Sequence, residues 1–220
     1  MAEEQAGILA DQSAQGAVGE LRIGLPPIVA GRFLSRAMAR FIRENPNCVV
    51  EMRMGLFHEL RTMLERGQVD IVLGPQSLAD PSDSLDFKPL IDDRVGILCR
   101  TNHPLTVRHQ VMASDPEAQV WLAHSRGSLL RQQTEAAMIA SGVKSMHIVC
   151  ETASIRSVLE IIAESDLITT MPRATTASYL DSKLVFLDFD HPQFHRPLGS
   201  IGRAGSPSNP IEDRFLSTLA

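Results

Sequence analysis

The sequence has few cysteines, and their spacing predicts neither a disulfide framework nor a metal site. Cys48, Cys99 and Cys150 are the three cysteines among its 220 residues, and no CxxC pair occurs. Cysteines this few and this far apart are typical of reduced core thiols in a cytoplasmic protein. We therefore expect reduced thiols and a cytoplasmic location.

The chain also lacks an excess of positive charge. Its 21 Lys and Arg residues against 26 Asp and Glu residues give a formal net charge of -5. Because a nucleic-acid footprint is normally basic, this balance argues against DNA binding by the chain alone. No apolar run is long enough to cross a membrane. Residues 1–18 contain Glu3, Glu4 and Asp11 but no basic segment, so we expect no secretion signal there.

The usual signatures of catalysis and of metal or nucleotide binding are missing as well. His124 and Ser125 are neighbours, but no GxSxG motif surrounds them. His191 and His195 have a spacing that suits metal ligands on a helix, but two nearby prolines indicate a loop. No glycine-rich loop follows a strand in the pattern a dinucleotide requires. We expect no enzymatic activity, no cofactor and no metal site.

What the first third of the chain does contain is a regular alternation of strands and helices. Short apolar strands separated by segments of helical periodicity predict a parallel sheet with crossover helices. Ligands of such sheets bind outside the carboxyl ends of the strands, so the loops at 25–31, 55–58 and 74–77 should face a shared binding site. The predicted strands are 21–24, 49–54 and 69–73, and the predicted helices are 33–42 and 56–64.

A second, sparser α/β unit follows. Segment 94–99 should carry the chain away from the first unit, and 197–202 should bring it back. We therefore predict an α/β fold of two Rossmann-like lobes joined by two crossing strands. The last helix should begin with Asn209 as its N-cap and Pro210 in its first position. The remaining predicted strands are 120–124, 147–150, 167–171 and 184–187, and the helices are 129–141, closed by Gly142, and 155–162 with Ser154 as N-cap.

Taken in order, these segments resemble the effector-binding domain of LysR-type transcriptional regulators, which has the fold of type 2 periplasmic binding proteins. The resemblance covers about residues 19–220, and it rests on the order of several modest motifs. Those motifs are GELRIG at 19–24, FIRENP at 41–46, LERGQVDIV at 64–72, NHPL at 102–105, ET at 151–152 and ITTMPR at 168–173.

The resemblance implies a domain organisation and a set of partners. Lobe I would comprise 19–93 and 197–220, lobe II 94–196, and residues 1–18 the tail of a linker helix or a disordered leader. A small, anionic effector would bind between the lobes and control transcription. The domain would form a homodimer, with a tetramer as the alternative for the full-length protein. DNA would be contacted only through an N-terminal winged helix-turn-helix, which this sequence does not include.

Candidate ligand contacts lie at the joints between strands and helices. Arg126 is the main candidate, because a guanidinium in a polar turn beside a helix N-terminus suits a carboxylate. The alternatives stay open: Arg126 as a solvated loop charge, Phe57 as part of a helix stripe, and the hydroxyls as N-caps. The full set of candidates is Pro27, Ile28, Val29, Phe57, Thr101, His124, Ser125, Arg126, Thr152 and Thr170.

The antiparallel pairing of the resembling family implies an interface on the first helix and on the helix at 154–165. The alternative for the first helix is a deeply buried core helix. Two other functions also fit a two-lobed fold of this kind: a solute-binding protein for uptake, and an enzyme such as a dehydratase. The expected interface residues are Phe33, Ser35, Ala39, Arg43, Ser157 and Ile161.

Overall fold

The computed structural model describes residues 18–79, 84–108, 111–180, 182–207 and 209–219. The chain divides into two compact units, one reaching to Ile91 and resuming at Leu198, the other spanning Asp92–Pro197. These divisions fall within two residues of the boundaries expected after 93 and before 197. The tail expected at 1–18 lies, except for its last residue, outside the described residues.

The described residues form ten β-strands and seven α-helices, several of them connected by 3-10 turns. No described helix is both long enough and apolar enough to span a bilayer. The strands are β1 (Gly19–Leu25), β2 (Cys48–Met54), β3 (Ile71–Pro75), β4 (Leu85–Ile91), β5 (Val95–Arg100), β6 (Val120–His124), β7 (His147–Thr152), β8 (Thr169–Pro172), β9 (Leu184–Phe186) and β10 (Leu198–Arg203). The helices are α1 (Arg32–Glu44), α2 (Phe57–Glu65), α3 (Ser114–Glu117), α4 (Leu129–Ala140), α5 (Ile155–Ala163), α6 (Arg173–Thr176) and α7 (Pro210–Ser217).

The sheet of the first unit has the strand order β2-β1-β3-β10-β4. β1 pairs in parallel with β2 and β3, as the strand-helix alternation predicted, whereas β10 runs antiparallel to β3 and β4. Leu25 lies opposite Met54, so β1 and β2 end at the same edge of the sheet. Helices α1 and α2 return the chain to the other edge, which a parallel pairing requires.

The apolar stripe predicted for α1 packs on this sheet. Leu34 and Phe41 are buried in one cluster with Leu21 of β1. The ring of Phe41 also meets Phe215 of α7 edge to face, with ring centroids 5.5 Å apart. Burial of one such aromatic or aliphatic side chain contributes about 1.5–3 kcal/mol, so this cluster holds both helices on the sheet.

The sequence analysis missed β4. β4 (Leu85–Ile91) is an outer strand paired only with β10, and it contains Pro89. An outer strand tolerates proline, but a proline within a short apolar segment argues against a strand when only the sequence is read. Segment 94–99, predicted to cross between the units, is β5 and lies wholly within the second unit.

The second unit has β6 beside β7 and β8-β5-β9 as a three-stranded sheet, and the Trp121–Ile168 bridge links β6 to β8 in parallel. His124 lies opposite Thr152, so β6 and β7 end together. β5 is antiparallel to β8, with Val95 opposite Pro172. We call the end of this sheet that carries His124, Thr152 and Pro172 its carboxyl edge.

A matched pair of glycine substitutions in β10 tests the central place of that strand in the first sheet. A Cβ on Gly199 would overlap the Lys88 carbonyl oxygen and the Phe87 ring, whereas a Cβ on Gly202 has no atom within 4 Å. We expect Gly199→Ala to lower the free energy of unfolding by at least about 2 kcal/mol, and Gly202→Ala to change it by less than about 0.5 kcal/mol. Urea denaturation of both variants is the measurement, and equal stabilities would contradict this packing.

Candidate functional site

A buried hydrogen-bonded chain lies at the carboxyl edge of the second sheet. The His124 ring nitrogen Nε2 lies 2.8 Å from the Thr170 carbonyl oxygen, which can only accept, so Nε2 carries the proton. The Thr170 and Thr134 hydroxyls are 2.6 Å apart, and Thr134 donates onward to the Leu130 carbonyl. Burial lowers the pKa of His124. The predicted contacts His124 and Thr170 therefore lie together, both nearly inaccessible to solvent.

Two arginines of this edge share one acidic partner. Arg131, in the first turn of α4, is buried and donates to the His124 carbonyl at 3.3 Å and to Glu135. Its Nη1 is also 3.6 Å from a carboxylate oxygen of Glu151, and Arg126 Nε is 3.4 Å from the same oxygen. The Arg126 side chain is 87% exposed. An ion pair this exposed contributes little to stability, so Arg126 is free to contact a ligand at small cost.

A third arginine at this edge is buried without a carboxylate partner. Arg196 is 4% exposed, and its Nη1 donates to Gln133 of α4 at 3.0 Å. Its Nε finds no hydrogen-bond partner among the described residues. Burial lowers the pKa of Arg196 to about 10, against the opposing charge of Asp93. The guanidinium therefore stays protonated at neutral pH, as a buried cation with an open donor.

Asp93 balances Arg196 in charge but directs its oxygens elsewhere. Its carboxylate accepts backbone N–H groups of Arg94 and Ala174 at 2.7 Å and of Thr175 at 3.4 Å. Burial raises the pKa of Asp93, and these three hydrogen bonds act against that rise. Asp93 thus fixes the start of α6 beside β5, and the open donor of Arg196 stays unused.

The longer helices differ in how their N-termini are satisfied. Ser154 accepts from the Ser157 N–H at the start of α5, and Asn209 accepts from Ile211 at the start of α7, both as predicted. Glu59 places its carboxylate on the Leu56 N–H, 2.6 Å away, at the start of α2. The thirteen-residue helix α1 and the twelve-residue helix α4, by contrast, have no side-chain cap and no acid in their first turns. Free N–H groups and a positive dipole end favour an anion at both of these N-termini. Helix α4 is the one that begins at the edge with Arg126 and Arg131.

Ser125 and Thr152 lie at the same carboxyl edge, both partly exposed. The Ser125 carbonyl accepts from the Ser128 N–H at 3.0 Å, which closes the turn before α4. The Thr152 hydroxyl accepts from the Ser154 N–H at 3.1 Å, just before α5 begins. Both residues stay predicted ligand contacts, and the Thr152 hydroxyl also has the local capping role that was its alternative.

Thr101 does not join the other candidates. Its N–H donates to the Lys183 carbonyl at 2.8 Å, beyond the end of β5. Because β5 runs antiparallel to β8, that end lies at the opposite edge of the sheet, roughly 20 Å from Val95 at about 3.3 Å per residue. Thr101 therefore lies away from His124 and Thr170, and its role as a ligand contact stays a prediction.

The candidates of the first unit follow β1 and β2, which end together. Phe57 is the half-buried first residue of α2. The segment Pro27–Val29 forms a separate 3-10 turn, and α1 begins only at Arg32. The Val29 N–H donates to the Pro26 carbonyl at 2.9 Å, so it is not an open donor for a ligand, and Val29 as a contact stays a prediction. Ile28 packs partly buried against the core, and its role as a contact stays a prediction.

The expected dimer residues lie on accessible faces of two helices. On α1, Ser35, Ala39 and Arg43 are exposed and Phe33 is half-buried. On α5, Ser157 is half-buried and Ile161 is 37% exposed. α1 is therefore not buried on all sides, and an interface on it stays a prediction.

The sequence analysis missed Arg131, Arg196 and Asp93. Arg131 precedes Glu135 by one helical turn, and that spacing is usually read as a solvated pair on a helix surface. Arg196 stands beside a proline in a polar segment. Their burial depends on contacts with residues distant in sequence, such as Asp93 with Ala174, and no local pattern signals those contacts.

The chain was compared with known families and proteins. The family model described as the LysR substrate binding domain matches residues 14–220. HTH-type transcriptional regulator GalR of Pseudomonas putida is 29% identical over 202 residues, covering 91% of this chain and 51% of GalR. HTH-type transcriptional regulator GbpR of Azospirillum brasilense is 26% identical over 220 residues, covering 98% of this chain and 64% of GbpR. The chain thus spans about half to two thirds of the length of these relatives.

Solved structures show the same fold. The CcmR regulatory domain of Synechocystis PCC6803, in complex with 2-PG, matches with a TM-score of 0.81 and 21% identity, covering 91% of this chain and 95% of that one. A full-length OxyR variant of Pseudomonas aeruginosa matches with a TM-score of 0.80 and 18% identity, covering 99% of this chain and 75% of that one. The predicted fold class, α/β with two Rossmann-like lobes of the type 2 periplasmic-binding-protein kind, is confirmed.

The buried state of His124 predicts a loss of stability in mild acid. Its pKa is lowered in the folded chain, so below about pH 6.5 the unfolded chain binds more protons and the free energy of unfolding falls as pH falls. His124→Gln keeps an N–H donor for the Thr170 carbonyl but does not titrate. We expect a shallower decline between about pH 7 and 5 in this variant than in the parent. His58→Gln, at an exposed histidine, is the control, and identical slopes for the parent and His124→Gln would contradict the assignment.

Proposed function

Because the chain belongs to the LysR substrate binding domain family, we propose that it is the effector-sensing part of a transcription regulator. The names of its relatives support a regulator over an uptake protein or an enzyme. The effector changes transcription only as far as it prefers one conformation of the domain over another. DNA contacts belong to the part of the regulator that this chain does not include.

The effector we propose is a small anion held at the carboxyl edge of the second sheet. The observation that carries this is the uncapped N-terminus of α4, with no acid in its first turn. The turn before it, from His124 to Ser128, ends β6 at that edge, so free N–H groups of Leu129 and its successors face the position where ligands of α/β sheets bind. A carboxylate or phosphate there gains both hydrogen bonds and the helix dipole.

Arginines around this N-terminus support an anionic ligand over a neutral one. Arg131 lies in the first turn of α4, and Arg126 lies in the turn before it. Arg196 contacts the same helix through Gln133 and keeps an open Nε donor. Charge-assisted hydrogen bonds from guanidinium to carboxylate are the strong ones, so these side chains add affinity and orientation. The expectation that the ligand lies between the lobes stays a prediction.

We also propose that the domain dimerises through α1 and α5. Ile42 of α1 is 50% exposed and Ile161 of α5 is 37% exposed, although neither belongs to a core. Ser35 and Ala39 offer small side chains on the exposed face of α1, where a partner helix can approach closely. Exposed apolar residues beside small ones are typical of an interface core with a close approach.

A substitution at the N-cap of α4 separates anion binding from folding. Ser128→Asp supplies the missing cap and a carboxylate where the anion is proposed to bind. We expect the free energy of unfolding to rise by about 0.5–1 kcal/mol. Affinity should fall about ten-fold, through repulsion and loss of free N–H groups. Calorimetric titration with inorganic sulfate and with small mono- and dicarboxylates measures the affinity.

The matched control is Asn209→Asp, an equivalent change at a helix that is already capped and begins elsewhere. Its affinity for the same anions should equal that of the parent. If Ser128→Asp binds these anions as well as the parent does, the N-terminus of α4 is not their site.

The dimer proposal is tested by adding charge to the exposed face of α1. Ser35→Glu and Ala39→Glu together place two carboxylates against an apolar partner surface, which is costly when desolvated. We expect the dimer dissociation constant to rise by at least about ten-fold, with unchanged circular dichroism, in sedimentation velocity. Ala204→Glu, exposed in the turn after β10, is the control. A double variant that sediments like the parent would place the interface elsewhere.

A further inference from the structure

A polar cavity of about 440 Å³ lies in the first unit, where the sequence analysis and the family offered no candidate. Its floor is formed by β10 and β4, and the first turn of α7 forms a wall. Asp70, which lines it, immediately precedes β3. The cavity is therefore at the amino ends of the parallel strands, the edge opposite to the one where β1 and β2 end.

The floor of the cavity carries a serine hydroxyl that has no hydrogen-bond partner among the described residues. Ser200 of β10 is 2% exposed and lines the cavity, and its hydroxyl makes no hydrogen bond within the described part of the chain. Ser200 lies opposite Lys88 and Gly202 opposite Asp86, so the four residues share one face of the sheet. The Ser200 hydroxyl faces the cavity, so it is available to hydrogen-bond a ligand or a water there.

Gly202 keeps the floor open. A Cβ built on it meets no atom within 4 Å, and its backbone conformation is one that any residue adopts. A larger residue would therefore be tolerated by the fold and would enter the cavity. Packing of β10 against its neighbouring strands therefore does not require the space above Gly202 to be empty.

Two opposite charges face this space without pairing. Glu212, in the first turn of α7, has no hydrogen bond or ion pair to a described residue, and Lys88 of β4 has none either. Burial raises the pKa of Glu212, although the charge of Lys88 opposes that rise. Of the other lining charges, Asp70 pairs with Arg22 at 2.7 Å, Arg203 donates to the Leu64 carbonyl at 2.7 Å, and Asp213 is also engaged. Asp86 of β4, by contrast, makes no hydrogen bond or ion pair to a described residue, so it adds a second open carboxylate beside Glu212.

We propose that this cavity binds a small zwitterion that carries one ammonium and one carboxylate group, in the simplest case a free α-amino acid. The ammonium lies against Glu212, the carboxylate against Lys88, and the Ser200 hydroxyl bonds one of the two. Charge-assisted bonds to both ends satisfy Glu212 and Lys88, and Asp86 offers a further carboxylate to the ligand ammonium. A bare metal ion fits less well, because no described group of three His, Cys, Asp or Glu residues could hold one.

Thermal unfolding of the chain with each standard α-amino acid tests this proposal. At ten times its dissociation constant, the ligand should raise the Tm by roughly 3–6 °C. For each amino acid that does so, the matched amine without the carboxylate and the matched acid without the ammonium should have little effect. If either of these analogues raised the Tm as much as the amino acid does, the proposal of a zwitterionic ligand would be overturned.

Three variants locate the binding. Gly202→Leu fills the cavity, Glu212→Gln removes the ammonium partner, and Lys88→Gln removes the carboxylate partner, so each should weaken binding at least ten-fold. Glu20→Gln, an exposed charge that does not line the cavity, should bind like the parent. Ser128→Asp should also bind like the parent, which separates this site from the proposed effector site. No Tm shift with any amino acid, or a shift that persists in all three cavity variants, would overturn the proposal.

Discussion

The candidate site depends on the parallel register of β6 and β7. Because His124 lies opposite Thr152, the two strands end at one level, and the helices that follow them begin there as well. Nothing about α4 alone would make its N-terminus a binding site. Register brings it to the same edge as Arg131 and the end of β8, and the absence of a cap leaves its N–H groups for a ligand. A shift of one residue in this pairing would turn the side chains of β7 to the opposite faces of the sheet.

The buried charges at this edge do not pair in the simplest way. The Asp93 carboxylate accepts hydrogen bonds from three backbone N–H groups. Arg196 donates through Nη1 to Gln133, and its Nε has no partner among the described residues. Desolvation raises the pKa of the carboxyl and lowers that of the guanidinium, so burial opposes the charge on each. Keeping a cation under these conditions costs stability. A ligand anion that offsets this cost gains more affinity here than it would from an exposed arginine such as Arg126.

The sequence predicted the fold class, and the positions that it predicted or missed have identifiable physical reasons. The strands β1, β2 and β6 have strong apolar patterns, and Ser154 and Asn209 are caps whose effect is local, so each was predictable. β4 was missed because Pro89 argues against a strand, and an outer strand that tolerates a proline is recognised only from its pairing with β10. The position of Thr101, at the edge of the sheet away from His124, was not predictable, because strand direction is set by distant pairing, here of β5 with β8. Arg196 was missed for the same reason, since its burial is a tertiary property.

The two edges of the first sheet differ in chemistry, and the direction of β10 accounts for much of this. At the end shared by β1 and β2, α2 begins with a Glu59 carboxylate that already occupies its free N–H group. At the other end, the antiparallel return of β10 brings Ser200 and Gly202 beside β4 and leaves α7 to begin above them. The pairing of β10 does not need a side chain at Gly202. A cavity therefore remains there, and its polar lining takes no part in the hydrophobic core. β10, the strand that joins β3 to β4, thus leaves a polar cavity beside α7.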